Sequence, residues 1–110
     1  MDIAYQSRKL EKRLTQPKEL IKTFGQMARK VNQRIEELKA ATTLSVIQTI
    51  PAAHCHELTG DRKRQLSVRV SVNYRLIFEP NHEPIPTKAD GGLDWEAVTA
   101  ITIIDIKDYH

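Results

Sequence analysis

The spacing of apolar residues changes at Pro51, and this change constrains the fold more than any other feature of the chain. Before Pro51, apolar residues recur every three or four positions, which is the repeat of an amphipathic helix. They are Leu20, Phe24, Met27, Val31, Ile35 and Leu38. After Pro51, apolar and polar residues alternate, as in a half-buried strand. This second set is Leu66, Val68, Val70 and Val72. The change predicts an α+β domain, with N-terminal helices packed on a small, mainly antiparallel twisted sheet.

Local signals predict where the helices begin and end. Ser7 can cap a first helix that has Leu10 and Leu14 on one side. Pro17 suits the first turn of a second helix, where its missing N–H does no harm. Gly25 interrupts the long apolar stripe, so that the helix either kinks or restarts there. A short strand over residues 3–5 and a helical turn over residues 43–50 complete the N-terminal half.

The C-terminal half predicts a meander of closely connected strands. His54, His56 and Leu58 are predicted to share one strand face, and turns are expected over residues 59–62 and 71–73. Residues 80–94, rich in proline and glycine, predict a loop before a last strand over residues 99–107. In that strand Ile101 and Ile103 are assigned to one face. Thr102, Ile104 and Ile106 are assigned to the other.

The composition predicts a single domain over residues 1–110 in the cytoplasm. No apolar run approaches the roughly 20 residues that a membrane-spanning helix needs, and we find no signal peptide. The single cysteine, Cys55, excludes an internal disulfide and suits a reducing compartment. These features predict no membrane partner.

Positive charge is concentrated at the front and middle of the chain. Residues 6–40 hold ten Lys or Arg against four Glu. The candidate RNA-binding residues of the middle are Arg62, Lys63, Arg64 and Arg69. Such a distribution attracts a phosphate backbone, although a solvated surface that keeps the protein soluble would have the same composition.

Three groups of polar residues could carry chemistry: residues 54–56 with His56, the arginine-rich turn and strands from Arg62 to Arg75, and the terminal triplet Asp108, Tyr109 and His110. If the fold brings His56 and His110 together beside Arg75, they can cleave RNA without a metal or cofactor. One imidazole would take the proton of the ribose 2′-OH, another would protonate the leaving 5′ oxygen, and the guanidinium would bind the phosphate. A surface histidine and a frayed terminus are the alternatives.

A metal site at residues 54–56 is not expected. Strand alternation turns Cys55 away from His54 and His56, which leaves two ligands where zinc takes three or four.

In combination, three motifs resemble the RelE superfamily, and its HigB branch in particular. They are H-x-L-x-G-x-R from His56 to Arg62, Y-R-L-x-F-E over residues 74–79, and D-Y-H at residues 108–110. Each motif is weak alone, but all three follow the family's order, and the resemblance extends over nearly the whole chain.

The resemblance implies the RelE-like RNase toxin fold and the toxin of a type II toxin–antitoxin system. Such a toxin enters the ribosomal A site and cuts mRNA there, and a helix-turn-helix antitoxin of the HigA type restrains it. By resemblance, His56 and His110 transfer protons in an undetermined order, and Arg75 stabilises the phosphate. Tyr109 would stack on or hydrogen-bond the nucleotide, Asp108 would orient a neighbour, and basic helical residues would contact ribosomal RNA.

This sequence departs from the family pattern at Thr59, where many relatives have lysine, and at Leu66, where an aromatic residue is common. The loop over residues 80–94 is also longer than in short members. Relatives that poison gyrase share the fold without the histidines, so that His56 and His110 favour a nuclease. The alternative is a non-catalytic binding protein, either a gyrase poison or an operon regulator in an antitoxin complex.

Overall fold

The structure is a computed structural model, and it describes residues 1–60 and 64–108. Within these residues the N-terminal half forms one strand and four helices. They are β1 (Asp2–Tyr5), α1 (Arg8–Thr15), α2 (Pro17–Phe24), α3 (Ala28–Ala40) and α4 (Leu44–Ile47). Four further strands follow: β2 (His56–Glu57), β3 (Leu66–Arg69), β4 (Tyr74–Pro80) and β5 (Ala100–Asp108). The predicted order of helices before strands is therefore confirmed.

The helices begin and end where local signals predict. The Ser7 hydroxyl accepts a hydrogen bond from the Leu10 N–H at 3.1 Å, and Pro17 opens α2. Gly25 has a φ of +56°, in the left-handed region that glycine adopts most easily. It ends α2, and a single 3₁₀ turn over Gly25–Met27 leads into α3. The long apolar stripe is thus shared by two helices.

The five strands form one mixed sheet in the order β1-β5-β4-β3-β2. β1 pairs in parallel with β5, and the other pairs are antiparallel. The helices cover one face of the sheet, here called the helix face, and bury the core against it. The strand residues in this core include Leu66, Val68, Leu76, Phe78, Ile101 and Ile103. This is the predicted α+β architecture.

A β-bulge in β5 corrects one prediction. Ile77 pairs with Asp105 and Phe78 pairs with Ile103, which leaves Ile104 without a partner in β4. One extra residue reverses the alternation beyond it. Ile106 therefore pairs with Leu76 and packs on the helix face, whereas the simple alternation placed it on the opposite face.

The turn predicted over residues 71–73 is confirmed: Val72 lies in it and is 81% exposed, because β3 ends at Arg69. One further strand prediction was wrong. His54 does not share a strand face with His56, since its φ of +44° places it in the left-handed region before β2 begins. The proline-rich segment over residues 80–94 is a loop as predicted, but it contributes Leu93 to the core.

No helix in the part of the chain that the structure describes is long and apolar enough to cross a membrane.

Candidate active site on the polar face of the sheet

The face of the sheet opposite the helices, here called the polar face, carries two rows of side chains that run across the strands. Strand pairing defines both rows, because residues paired across a sheet point to the same side. The first row is His56, Ser67, Ile77 and Asp105. The second row, here called the cationic row, is Arg69, Arg75 and Lys107. Neighbouring strands lie about 4.8 Å apart, so the cationic row spans about 10 Å.

Among the described residues, few protein groups neutralise or hydrogen-bond the side chains of the cationic row. Arg69 donates from Nε to the Ser71 carbonyl at 3.3 Å. Nη1 of Arg75 is buried and has no hydrogen-bond partner among the described residues. The ion pairs found in residues 1–60 and 64–108 lie elsewhere, on α3 and in the loop after β4. Three cations in adjacent positions repel one another, and a buried unpaired guanidinium N–H is costly. This arrangement suits an anionic ligand.

His56 lies on the same face, one strand beyond Arg69, and its ring is exposed. Nδ1 lies 3.0 Å from the carbonyl oxygen of His54. A carbonyl oxygen only accepts, so this contact requires the proton on Nδ1. In the neutral ring Nε2 then has a free lone pair, as a general base requires. The left-handed backbone of His54 forms this contact.

The other predicted site residues are less closely grouped. Asp108 pairs with Tyr74, so it belongs to the helix face, like Leu76, and not to the polar face that carries Arg75. Arg64 is exposed and lines a cleft with Glu79 and Pro80, near the end of β4 that is remote from Arg75. Four further predicted residues lie outside the described residues: Arg62, Lys63, Tyr109 and His110. The meeting of His56 with His110 therefore stays a prediction.

Lys107 is a polar-face cation that the sequence analysis missed. Simple alternation along β5 gives Lys107 the face of Ile101 and Ile103, and the bulge at Ile104 moves it to the face of Arg75. Ser67 was also missed: it is fully buried next to His56, and its hydroxyl has no partner among the described residues. In the sequence, Ser67 looks like an ordinary solvent-facing residue of a half-buried strand.

Within residues 1–60 and 64–108, the surroundings of Cys55 offer neither a reactive thiolate nor a group of metal ligands. Burial raises the pKa of the Cys55 thiol to about 12, so the thiol is neutral at physiological pH. No three His, Cys, Asp or Glu side chains of residues 1–60 and 64–108 are grouped as metal ligands.

Comparison with known proteins agrees with this fold. A YoeB/ParE toxin from Agrobacterium tumefaciens is similar over 100% of both chains, with a TM-score of 0.53 and 13% sequence identity. At that identity the likeness shows a shared α+β toxin fold. No individually curated protein matches the sequence.

The family follows from the sequence of the chain. The model of the HigB-like toxins, described as RelE-like toxins of the type II toxin–antitoxin system HigB, matches residues 5–87. The chain therefore belongs to the HigB-like toxin family, and a type II toxin has an antitoxin as its partner. The match includes His56, Arg69 and Arg75 and ends before β5.

Proposed function

We propose that this toxin is a ribosome-dependent endoribonuclease that cuts mRNA in the A site by metal-independent acid–base catalysis. The observation that carries the proposal is the cationic row beside His56, in which a buried guanidinium nitrogen of Arg75 has no partner among the described residues. A phosphodiester bound at the half-buried Arg75 and its neighbours would neutralise the row.

In the proposed reaction, Nε2 of His56 takes the proton of the ribose 2′-OH. The 2′ oxygen then bonds to phosphorus, and the bond from phosphorus to the 5′ oxygen breaks. The products are a 2′,3′-cyclic phosphate and a 5′-hydroxyl. The contact of Nδ1 with the His54 carbonyl supports this role, because it leaves Nε2 as the basic nitrogen.

Arg75 and Arg69 would bind the reacting and neighbouring phosphates. Extra negative charge on the phosphate oxygens in the transition state strengthens their interaction with a fixed guanidinium. By the family resemblance we assign protonation of the 5′ oxygen to His110, stacking on the nucleotide to Tyr109 and orientation of a neighbour to Asp108. Arg62, Lys63 and Arg64 would contact RNA outside the reacting phosphate.

The test is cleavage of mRNA on programmed ribosomes, comparing wild type with His56→Ala. We expect cleavage to slow by roughly 10²- to 10⁴-fold, the usual contribution of one acid–base group. His82→Asn is the matched control, since His82 lies near the start of β5 and accepts backbone N–H bonds there. A single 2′-deoxy substitution at the cleaved nucleotide should abolish cleavage by the wild type.

The outcomes separate the nuclease from a non-catalytic toxin. Growth arrest that persists in both His56→Ala and Arg75→Ala, without mRNA cleavage by the wild type, would contradict the proposal. It would favour a binding protein such as a gyrase poison or an operon regulator. Thermal denaturation of each variant separates loss of activity from loss of folding.

We also propose that the antitoxin is a helix-turn-helix protein of the HigA type, and that both proteins act in the cytoplasm. Membership of the HigB-like family supports this pairing. Co-expression with the product of the adjacent reading frame should prevent growth arrest, and the two proteins should co-purify. An adjacent product without a helix-turn-helix, or one that leaves growth arrest unchanged, would contradict the pairing.

A further inference from the structure

We infer that Lys107 is a further phosphate-binding residue of the polar face, brought there by the β-bulge at Ile104. The inference rests on the proposed RNA-cleaving function and adds a contact that neither the motifs nor the family match assigns. The match ends at residue 87, twenty residues before Lys107.

The register of β5 determines the position of Lys107. Lys107 pairs with Arg75, and Arg75 pairs with Arg69, so the three side chains leave one face in adjacent positions. Without the unpaired Ile104, Lys107 would share the face of Ile103, where the helices pack. Bulges commonly redirect a side chain next to an active site.

No ion pair explains Lys107 in the part of the chain that the structure describes. Asp105 lies two residues away on the same face, but one of its carboxylate oxygens accepts the N–H of Ile106 at 2.8 Å. Lys107 is half-buried and lies directly opposite another cation, which is an unfavourable pairing for a sheet.

Lysines often protect the edge of a sheet from pairing with another chain. β5 lies between β1 and β4, but β1 pairs only with residues 100–103, and no strand among the described residues pairs with residues 104–108 on that side. Edge protection accounts for a lysine in this segment, but not for its position directly opposite Arg75. An anion that contacts Lys107 and Arg75 together would relieve their repulsion, and the phosphodiester of the proposed substrate has this chemistry.

The test measures RNA binding separately from cleavage. All variants carry His56→Ala, so that the RNA stays intact, and binding to ribosomes programmed with fluorescent mRNA is measured over a range of salt concentrations. Lys107→Gln should raise the Kd about tenfold, as expected for a lost charge-assisted contact. It should also reduce the slope of log K against log salt by about 0.7, the value for one phosphate contact on a single strand.

Lys88→Gln is the matched control, because it removes the same charge from the loop, where Lys88 lies 4.0 Å from Asp90. It should change the Kd less than twofold. Lys107→Arg should restore most of the affinity, since arginine also binds phosphate. The thermal stability of Lys107→Gln should be unchanged or higher, because a repulsive pairing is removed.

The results distinguish this inference from the proposed function. If Arg75→Ala weakens binding and Lys107→Gln behaves like Lys88→Gln, the inference is wrong and the nuclease proposal stands. If Lys107→Gln weakens RNA binding but the wild-type protein cleaves no mRNA, the phosphate contact stands and the nuclease proposal is wrong. If Lys107→Gln loses affinity only together with thermal stability, its role is structural, and the inference is wrong.

Discussion

Two arginines on opposite faces of one sheet show how this molecule divides its polar groups. On the helix face, Arg34 is only 3% exposed, and each of its three guanidinium nitrogens donates a hydrogen bond. It donates to the carbonyls of Arg69 at 2.7 Å and Ala52 at 2.9 Å and pairs with Glu37 at 2.9 Å. On the polar face, Nη1 of Arg75 is also buried but has no partner among the described residues. The first arginine completes the fold, whereas the second lies beside other cations on the polar face, where we propose that its guanidinium binds a phosphate.

The two faces are also connected. Arg34 binds the backbone carbonyl of Arg69, whose side chain belongs to the cationic row. Arg34, on the helix side of the sheet, therefore fixes the end of β3 through the backbone carbonyl of Arg69. The side chain of the same Arg69 carries a charge on the polar face. A preorganised cation needs this kind of support, because a site that can relax loses its advantage in binding the transition state.

The largest expected effect tests the structural arginine. Arg34→Ala removes the hydrogen bonds to the carbonyls of Arg69 and Ala52 and the ion pair with Glu37, and we expect it to lower the free energy of unfolding by about 3–5 kcal/mol. Urea denaturation measures this loss. Arg29→Ala, an exposed position on α3, is the control and should change stability by less than about 0.5 kcal/mol. Equal effects of the two changes would contradict the structural role.

Arg75→Ala should give the opposite pattern. We expect cleavage on programmed ribosomes to slow by about 10²- to 10³-fold, as for loss of one group that stabilises transition-state charge. The free energy of unfolding should stay the same or rise, since the change removes a buried unpaired N–H and a repulsive neighbour. A stability loss as large as that of Arg34→Ala, with cleavage intact, would show that the two arginines do not differ in role.

The bulge defines which face each residue at the end of β5 belongs to, and two isoleucines test it. Ile106 packs on the core, so Ile106→Ala should cost about 2 kcal/mol of unfolding free energy. Ile104, the unpaired bulge residue, is not part of that core, and Ile104→Ala should cost less than about 1 kcal/mol. Urea denaturation of both variants compares them, and the reverse order would support the simple alternation over the bulge.

Much of the fold could be predicted because it depends on local chemistry. Ser7 caps a helix, Pro17 opens one and Gly25 ends one, each through its own backbone preference. The family resemblance rested on three short motifs in the sequence, and the match over residues 5–87 confirms the family. The bulge could not be predicted, because nothing in residues 100–108 marks Ile104 as the unpaired residue. Pairing with β4 decides it, and with it the faces of Ile106 and Lys107.

The candidate site was therefore predicted only in part. Arg69 and Arg75 lie in adjacent strand positions, as the two short strands and the turn between them allowed. The hydrogen bond that orients His56 arises from the left-handed backbone of His54, and strand alternation had assigned that residue to a strand. Two separate deviations from regular strand geometry thus matter here. The left-handed backbone of His54 produces the histidine contact, and the bulge at Ile104 produces the position of Lys107.

A smaller effect than that of Ile106→Ala is expected at Cys55, which packs against the core next to the exposed His56. Burial raises the pKa of the folded thiol to about 12 from 9.0, so above pH 9 the unfolded chain releases this proton while the folded protein keeps it. The unfolded state then binds fewer protons, and stability falls as pH rises. Between pH 8 and pH 10 the wild type should lose about 1.4 kcal/mol more unfolding free energy than Cys55→Ala. Tyr5, whose pKa burial also raises, affects both proteins equally, so the difference in urea denaturation isolates the thiol. Equal losses of unfolding free energy in the two proteins would mean that the Cys55 thiol is in contact with water. The change from covered to exposed side chains would then not fall between Cys55 and His56.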